Sequence, residues 1–92
     1  MTVSEAIKTY KLPAKSTPED LECHWNKVVT YGEKILIAWY FYMGPDKPGY
    51  FAAVYEFLTD DHTCEGEVGL RAASDVSFED DGHALAWAMQ NA

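Results

Sequence analysis

The sequence predicts an α+β domain with an antiparallel sheet of three or four strands, one helix before the sheet and one after it. Three observations support this class. A capped helix start lies at Thr17, β-branched and aromatic residues dominate from Lys34 to Leu58, and a second helix start follows near Ser77. The 92 residues, 48% of them hydrophobic, are expected to form a single globular domain over 1–92 in the order α-β-β-β-α.

The N-terminal segment has two interpretations. Within residues 1–16, Ala6 to Leu12 fits either a short helix or an additional strand. We therefore treat residues 1–16 as an irregular N-terminal segment that precedes the main elements.

A helix is predicted for residues 18–31. Thr17 can accept a backbone N–H as the N-cap, and Pro18 lacks only a donor that would have no partner inside the helix. Gly32 is a natural stop. The apolar residues predicted to share one buried face are Leu21, Trp25, Val28 and Val29.

Lys34 to Leu58 predicts a β-hairpin, with the turn formers of residues 44–49 between its two arms. Alternation with Met43 opposite Tyr50 gives two apolar faces. One face holds Ile35, Ile37, Trp39, Phe41, Met43, Ala52, Val54 and Leu58. The other, rich in tyrosine, holds Leu36, Ala38, Tyr40, Tyr42, Phe51, Ala53, Tyr55 and Phe57. Tyr40, Tyr42 and Tyr55 are therefore secondary candidates for binding a partner.

The first arm of this hairpin is apolar on both faces, so we expect it to be covered on both sides or to lie inside the sheet. An apolar edge strand promotes aggregation. The sequence offers three ways to cover the edge: the N-terminal segment, the third strand or a second copy of the chain.

The last third of the chain predicts a polar loop at residues 59–63, a half-buried third strand at 65–72 and a final helix. Ser77 is the predicted N-cap of that helix. Its apolar stripe is expected to contain Phe78, Leu85 and Met89.

Charge is distributed unevenly along the chain. The net charge is −8, and nine acidic residues lie between Glu56 and Asp81, where Arg71 is the only cation. A field of one sign repels nucleic acid and attracts basic surfaces. The candidate partner-binding residues are Asp60, Asp61, Glu65, Glu67, Glu79, Asp80 and Asp81. The alternative interpretation of these acids is a solvated face that only aids solubility.

Other function classes have weaker support. We find no phosphate-binding loop, nucleophile elbow or HExxH motif, and we expect no enzymatic activity and no cofactor. Cys23, His24, His62 and Cys64 are ligand types for zinc, but adjacent ligands on a helix point about 100° apart, so we expect no metal. Seven basic residues, mostly in the neutral first third, argue against direct nucleic-acid binding.

The sequence also gives little support for membrane insertion or secretion. The longest apolar run is nine residues, Ile35 to Met43, whereas a membrane helix needs about 20. The first residues lack the apolar stretch of a secretory signal, and two cysteines are too few for a disulfide scaffold. The sequence thus predicts a cytoplasmic protein.

The stretches DDHTCEGE (60–67) and FEDDG (78–82), on a short acidic chain rich in aromatics, make the sequence similar to phage-encoded anti-CRISPR proteins. The resemblance is one of chain length, charge and composition, not of a shared motif. It implies an inhibitor in the host cytoplasm that binds a CRISPR effector and blocks DNA binding or cleavage, because its carboxylates occupy a basic nucleic-acid-binding surface.

Two alternatives stay open at this point. An immunity protein that neutralises a basic nuclease toxin has the same acidic format. A homo-oligomeric accessory protein would instead pair, as a homodimer for example, through the tyrosine-rich face.

Overall fold

The computed structural model describes residues 1–44 and 46–92, and it confirms the α+β class. Five strands form one antiparallel sheet in the order β1-β5-β4-β3-β2. The elements in chain order are α1 (Val3–Tyr10), β1 (Lys15–Ser16), α2 (Pro18–His24), β2 (Lys27–Tyr31), β3 (Lys34–Phe41), β4 (Gly49–Phe57), β5 (Val68–Ala73) and α3 (Asp81–Gln90). The sheet has more strands than predicted because β1 lies in the segment predicted to be irregular and β2 in the second half of the predicted helix.

The helix predicted over 18–31 is correct at its start and wrong in its second half. The Thr17 hydroxyl accepts the Asp20 N–H at 3.2 Å, but α2 ends at His24 and Trp25 is extended. The following residues form β2 because its β-branched side chains favour a strand and its backbone pairs along β3. Gly32, with a φ of 61°, lies in the turn between β2 and β3.

This correction changes the predicted buried face. Leu21 is buried, whereas Trp25, Val28 and Val29 are only half-buried. β2 is also what covers the apolar edge of β3, a role that the sequence analysis assigned to other segments.

The hairpin is confirmed, but its register differs from the prediction. Tyr50 pairs with Tyr40 rather than with Met43, a shift of three residues that moves every side chain of β4 to the opposite face. The observed register places Phe51 and Tyr55 on the face of Trp39, where all three side chains are buried. Phe78 also exchanges backbone hydrogen bonds of 2.9 and 2.8 Å with Tyr50, near the start of β4. Pro45, in the predicted turn, lies outside the described residues.

Both faces of the sheet are covered, as predicted for an arm that is apolar on both sides. α1 and α2 pack on the face that carries Trp39, Phe51 and Tyr55. α3 packs on the face that carries Leu36 and Val54. β3 therefore lies in the sheet interior, between β2 and β4.

The elements before and after the hairpin also differ from the prediction. Residues 3–10 form a helix whose N-cap, Thr2, exchanges hydrogen bonds with Glu5. The third predicted strand begins three residues later than expected, at Val68. Asp80, not Ser77, caps the last helix, because its carboxylate accepts the His83 N–H at 2.7 Å.

The stripe predicted for the last helix is partly wrong. Leu85 is buried together with Ala84 and Ala88, whereas Phe78 is half-buried and Met89 is 42% exposed. Among the described residues, no helix combines the length and the apolar character needed to cross a membrane.

Candidate functional site

The seven predicted partner-binding carboxylates fall into two groups. Asp60, Asp61, Glu65 and Glu67 lie in the loop between β4 and β5, and Glu79, Asp80 and Asp81 lie at the start of α3. Phe78 pairs with Tyr50 near the first residue of β4, while the loop follows Phe57, its last residue. Seven steps along a strand span about 23 Å. The two groups therefore lie at opposite ends of the sheet and do not form one surface.

Hydrogen bonds within residues 58–67, which we call the acidic loop, hold its shape. The Asp61 carboxylate accepts the N–H and the hydroxyl of Thr63, at 3.1 and 2.6 Å. Leu58 donates its N–H to the Glu67 carbonyl at 2.9 Å and closes the base of the loop. These bonds from Thr63 lower the pKa of Asp61. Asp61 thus has a structural role as well as a charge.

Packing also constrains the acidic loop. The His62 ring stacks on Phe57 with centroids 4.5 Å apart. Gly66 is buried, and a Cβ there would overlap the carbonyl oxygen of Asp61. Only a glycine fits where the backbones of residues 61 and 66 approach so closely.

Replacing Gly66 with alanine is therefore expected to lower the free energy of unfolding by about 1–3 kcal/mol, the usual cost of overpacking. Urea denaturation of both proteins measures the change. Gly82→Ala is the matched control, since Gly82 is exposed on α3, its nearest atom is the Asp80 carboxylate oxygen at 3.3 Å from an added Cβ, and alanine favours a helix. Equal losses in both variants would contradict a special role for Gly66.

Two further acids join the acidic loop through backbone contacts. Glu19 donates its N–H to the Cys64 carbonyl at 3.0 Å, which places the start of α2 against the loop. Glu33 lies in the turn between β2 and β3, and its carbonyl accepts the Phe57 N–H at 3.5 Å. We call the whole group the acidic end: Glu19, Glu33, Asp60, Asp61, Glu65 and Glu67. Glu19 and Glu33 are not among the residues predicted from the sequence, because they precede the acidic segment along the chain.

The carboxylates of the acidic end carry uncompensated charge. All six residues are exposed, and none of them forms an ion pair in the described part of the chain. Two of the neighbouring cations are already engaged, since Lys34 and Arg71 lie 2.9 and 4.0 Å from the Glu56 carboxylate. The hydrogen bond from Lys34 lowers the pKa of Glu56.

Most of the acids near α3 already form local hydrogen bonds or are half-buried. Asp80 is the N-cap, and its hydrogen bonds from His83 lower its pKa. Asp46 in turn accepts the N–H and hydroxyl of Ser77, at 3.0 and 3.2 Å. Asp81 is half-buried, so Glu79 is the one predicted site residue of this group that is both exposed and without a capping role.

The three candidate tyrosines do not lie on one surface. Tyr40 and Tyr42 are 53% and 69% exposed, and Met43 beside them is 70% exposed. Tyr55 is fully buried, so its prediction as a surface residue is wrong. The register shift turns it toward α1, where its hydroxyl donates to the Pro13 carbonyl at 2.8 Å and burial raises its pKa. We call Tyr40, Tyr42 and Met43 the aromatic tip.

The four side chains considered for zinc do not form a cluster of ligands. Cys23 and Cys64 are free and exposed, and His62 stacks on Phe57. Within residues 1–44 and 46–92, no group of three or more His, Cys, Asp or Glu side chains is arranged to hold a metal ion.

The fold and these surfaces define a small α+β domain with an acidic end and an aromatic tip. Residues 12–92 match the protein family described as nucleotide modification associated domain 4, and the chain belongs to that family. The match includes every element except α1. Comparison with curated proteins and with solved structures finds no significant match.

Proposed function

We propose that the chain is a non-catalytic binding domain whose acidic end contacts the basic, nucleic-acid-binding surface of a protein partner. One observation carries the proposal: the acidic end presents six exposed carboxylates that form no ion pair among the described residues, and hydrogen bonds within the acidic loop hold its shape. A preorganised acidic surface speeds association with a basic one and loses little entropy on binding. The partner's lysines and arginines would then be blocked from nucleic acid.

Two partner classes have this chemistry. The format shared with anti-CRISPR proteins suggests a CRISPR effector, whose DNA binding or cleavage the domain would block in the host cytoplasm. The family description suggests instead a protein that takes part in nucleotide modification. In both cases the contact is between carboxylates and a surface that otherwise holds phosphates.

Affinity capture followed by a competition assay tests this proposal. The immobilised chain should retain the partner from host lysate at low salt and release it at about 0.5 M salt, where screening is strong. The purified partner should also be released by duplex DNA, and the chain should weaken its DNA binding. Capture that neither salt nor DNA affects would contradict the proposal. The identity of the partner separates an effector from a modification protein.

The aromatic tip supports a second candidate function, a homo-oligomeric accessory protein. Three neighbouring large side chains are each more than half exposed there, which is typical of an interaction surface. Light scattering should then give a mass of twice 10.4 kDa for the native chain and 10.4 kDa for Tyr42→Ser/Met43→Ser. Tyr31→Ser, at a tyrosine 46% exposed on β2, is the control and should remain a dimer. A monomeric native chain would exclude this candidate.

A further inference from the structure

A cleft of about 320 Å³ lies between α2 and the segment that connects α1 with β1. Lys11 and Lys15 line it, together with Ser16, Asp20, His24 and Trp25. The chain has only seven lysines and arginines, and two of them line this cleft. Another cleft, of about 390 Å³ beside the start of α3, is lined by one lysine and by Glu79.

The two lysines are available for a ligand. Neither forms an ion pair among the described residues. Lys11 has a φ of 61° at the C-cap of α1, a left-handed position that glycine usually occupies. A lysine is present there despite the conformational cost. Two ammonium groups at one cleft attract an anion.

The remaining side chains fit the other parts of an aromatic anion. Trp25 lines the cleft and is half-buried, and its ring packs edge-to-face with that of Trp39, with centroids 5.2 Å apart, which fixes its position. His24 Nδ1 lies 2.8 Å from the Asp20 carbonyl, so Nδ1–H donates to it and Nε2 is left as an acceptor. The Asp20 carboxylate can accept bonds from hydroxyl groups.

We propose that this cleft binds a nucleoside 5′-monophosphate. The phosphate pairs with Lys11 and Lys15, the base stacks on Trp25, and the sugar hydroxyls donate to Asp20. The volume lies near the lower end of small-molecule sites, roughly 300–1,000 Å³, so it suits one nucleotide rather than a dinucleotide. The net charge of −8 disfavours a long polynucleotide. None of these residues belongs to the acidic end, so the site stands without the proposed function.

Titration of the ¹⁵N-labelled chain with AMP and CMP tests the site directly. The largest shifts are expected between Lys11 and Trp25, including the indole N–H of Trp25. Adenosine and inorganic phosphate, each alone, should bind at least tenfold more weakly than AMP, because each lacks half of the contacts. A short oligonucleotide should also bind more weakly than AMP. Shifts elsewhere, or none at millimolar AMP, would overturn the proposal.

Two lysine variants distinguish binding at the cleft from nonspecific electrostatic attraction. Lys11→Gly and Lys15→Gln should each weaken AMP binding at least fivefold, whereas Lys27→Gln, an exposed lysine outside the cleft, should not. Lys11→Gly should also raise the melting temperature, because glycine favours the left-handed conformation. Loss of binding without loss of stability therefore identifies a ligand contact. Equal weakening in Lys27→Gln would overturn the assignment.

Discussion

Replacing Phe51 with alanine is expected to lower the free energy of unfolding by about 3–5 kcal/mol, the range for a large aromatic in a core. Phe51 is fully buried in β4, on the face covered by α1. Its ring centroid lies 5.2 Å from that of Tyr10, 6.4 Å from Trp39 and 6.3 Å from Phe41. Removing the ring would leave a cavity at the centre of these contacts.

Urea denaturation measures this loss as a lower midpoint with an unchanged slope. Met43→Ala is the control, because Met43 is 70% exposed and its removal should cost less than about 0.5 kcal/mol. Phe51→Leu, expected to cost about 1–1.5 kcal/mol, remains measurable if the alanine variant does not fold. The register predicted from the sequence placed Met43 on a covered face. A large loss in Met43→Ala and a small one in Phe51→Ala would therefore contradict the observed register.

Local patterns predicted the parts of the fold that depend on local interactions. The Thr17 cap is formed by the hydroxyl and the N–H of a residue three positions away. Alternation within β3 correctly separated Ile35, Ile37 and Trp39 from Leu36 and Ala38. These signals persist because one residue and its near neighbours determine them.

Long-range contacts explain the two main errors. Residues 25–31 fit an amphipathic helix equally well, and pairing with β3 decides for a strand. The hairpin turn is rich in turn formers and permits several registers, and burial of Phe51 and Tyr55 with Trp39 under α1 favours the observed one. The same contacts divide the predicted acids into two groups and bring Glu19 and Glu33 to the acidic end. No pattern in a single sequence contains this information.

Reversing Asp60, Glu65 and Glu67 together to lysine is expected to weaken binding to the basic partner at least 100-fold. Each change replaces an attractive charge with a repulsive one, and like charges across an interface cost several kcal/mol. Stability should be nearly unchanged, because these three side chains are exposed and form no hydrogen bond or ion pair within the described residues. Asp61 is left in place because Thr63 depends on its carboxylate.

A control variant distinguishes the effect of the acidic end on affinity from the effect of net charge. Glu22→Lys/Asp75→Lys/Glu79→Lys changes the charge by the same amount at exposed positions outside the acidic end. Long-range attraction falls equally in both variants, but only the first removes contacts at the interface, so the control should lose less than about tenfold in affinity. The difference in Kd between the two variants should become smaller at the higher of two salt concentrations. If both variants bind equally weakly, net charge alone drives association. If the first binds as tightly as the native chain, the acidic end is a solvated face, and the aromatic tip becomes the surface through which this domain acts.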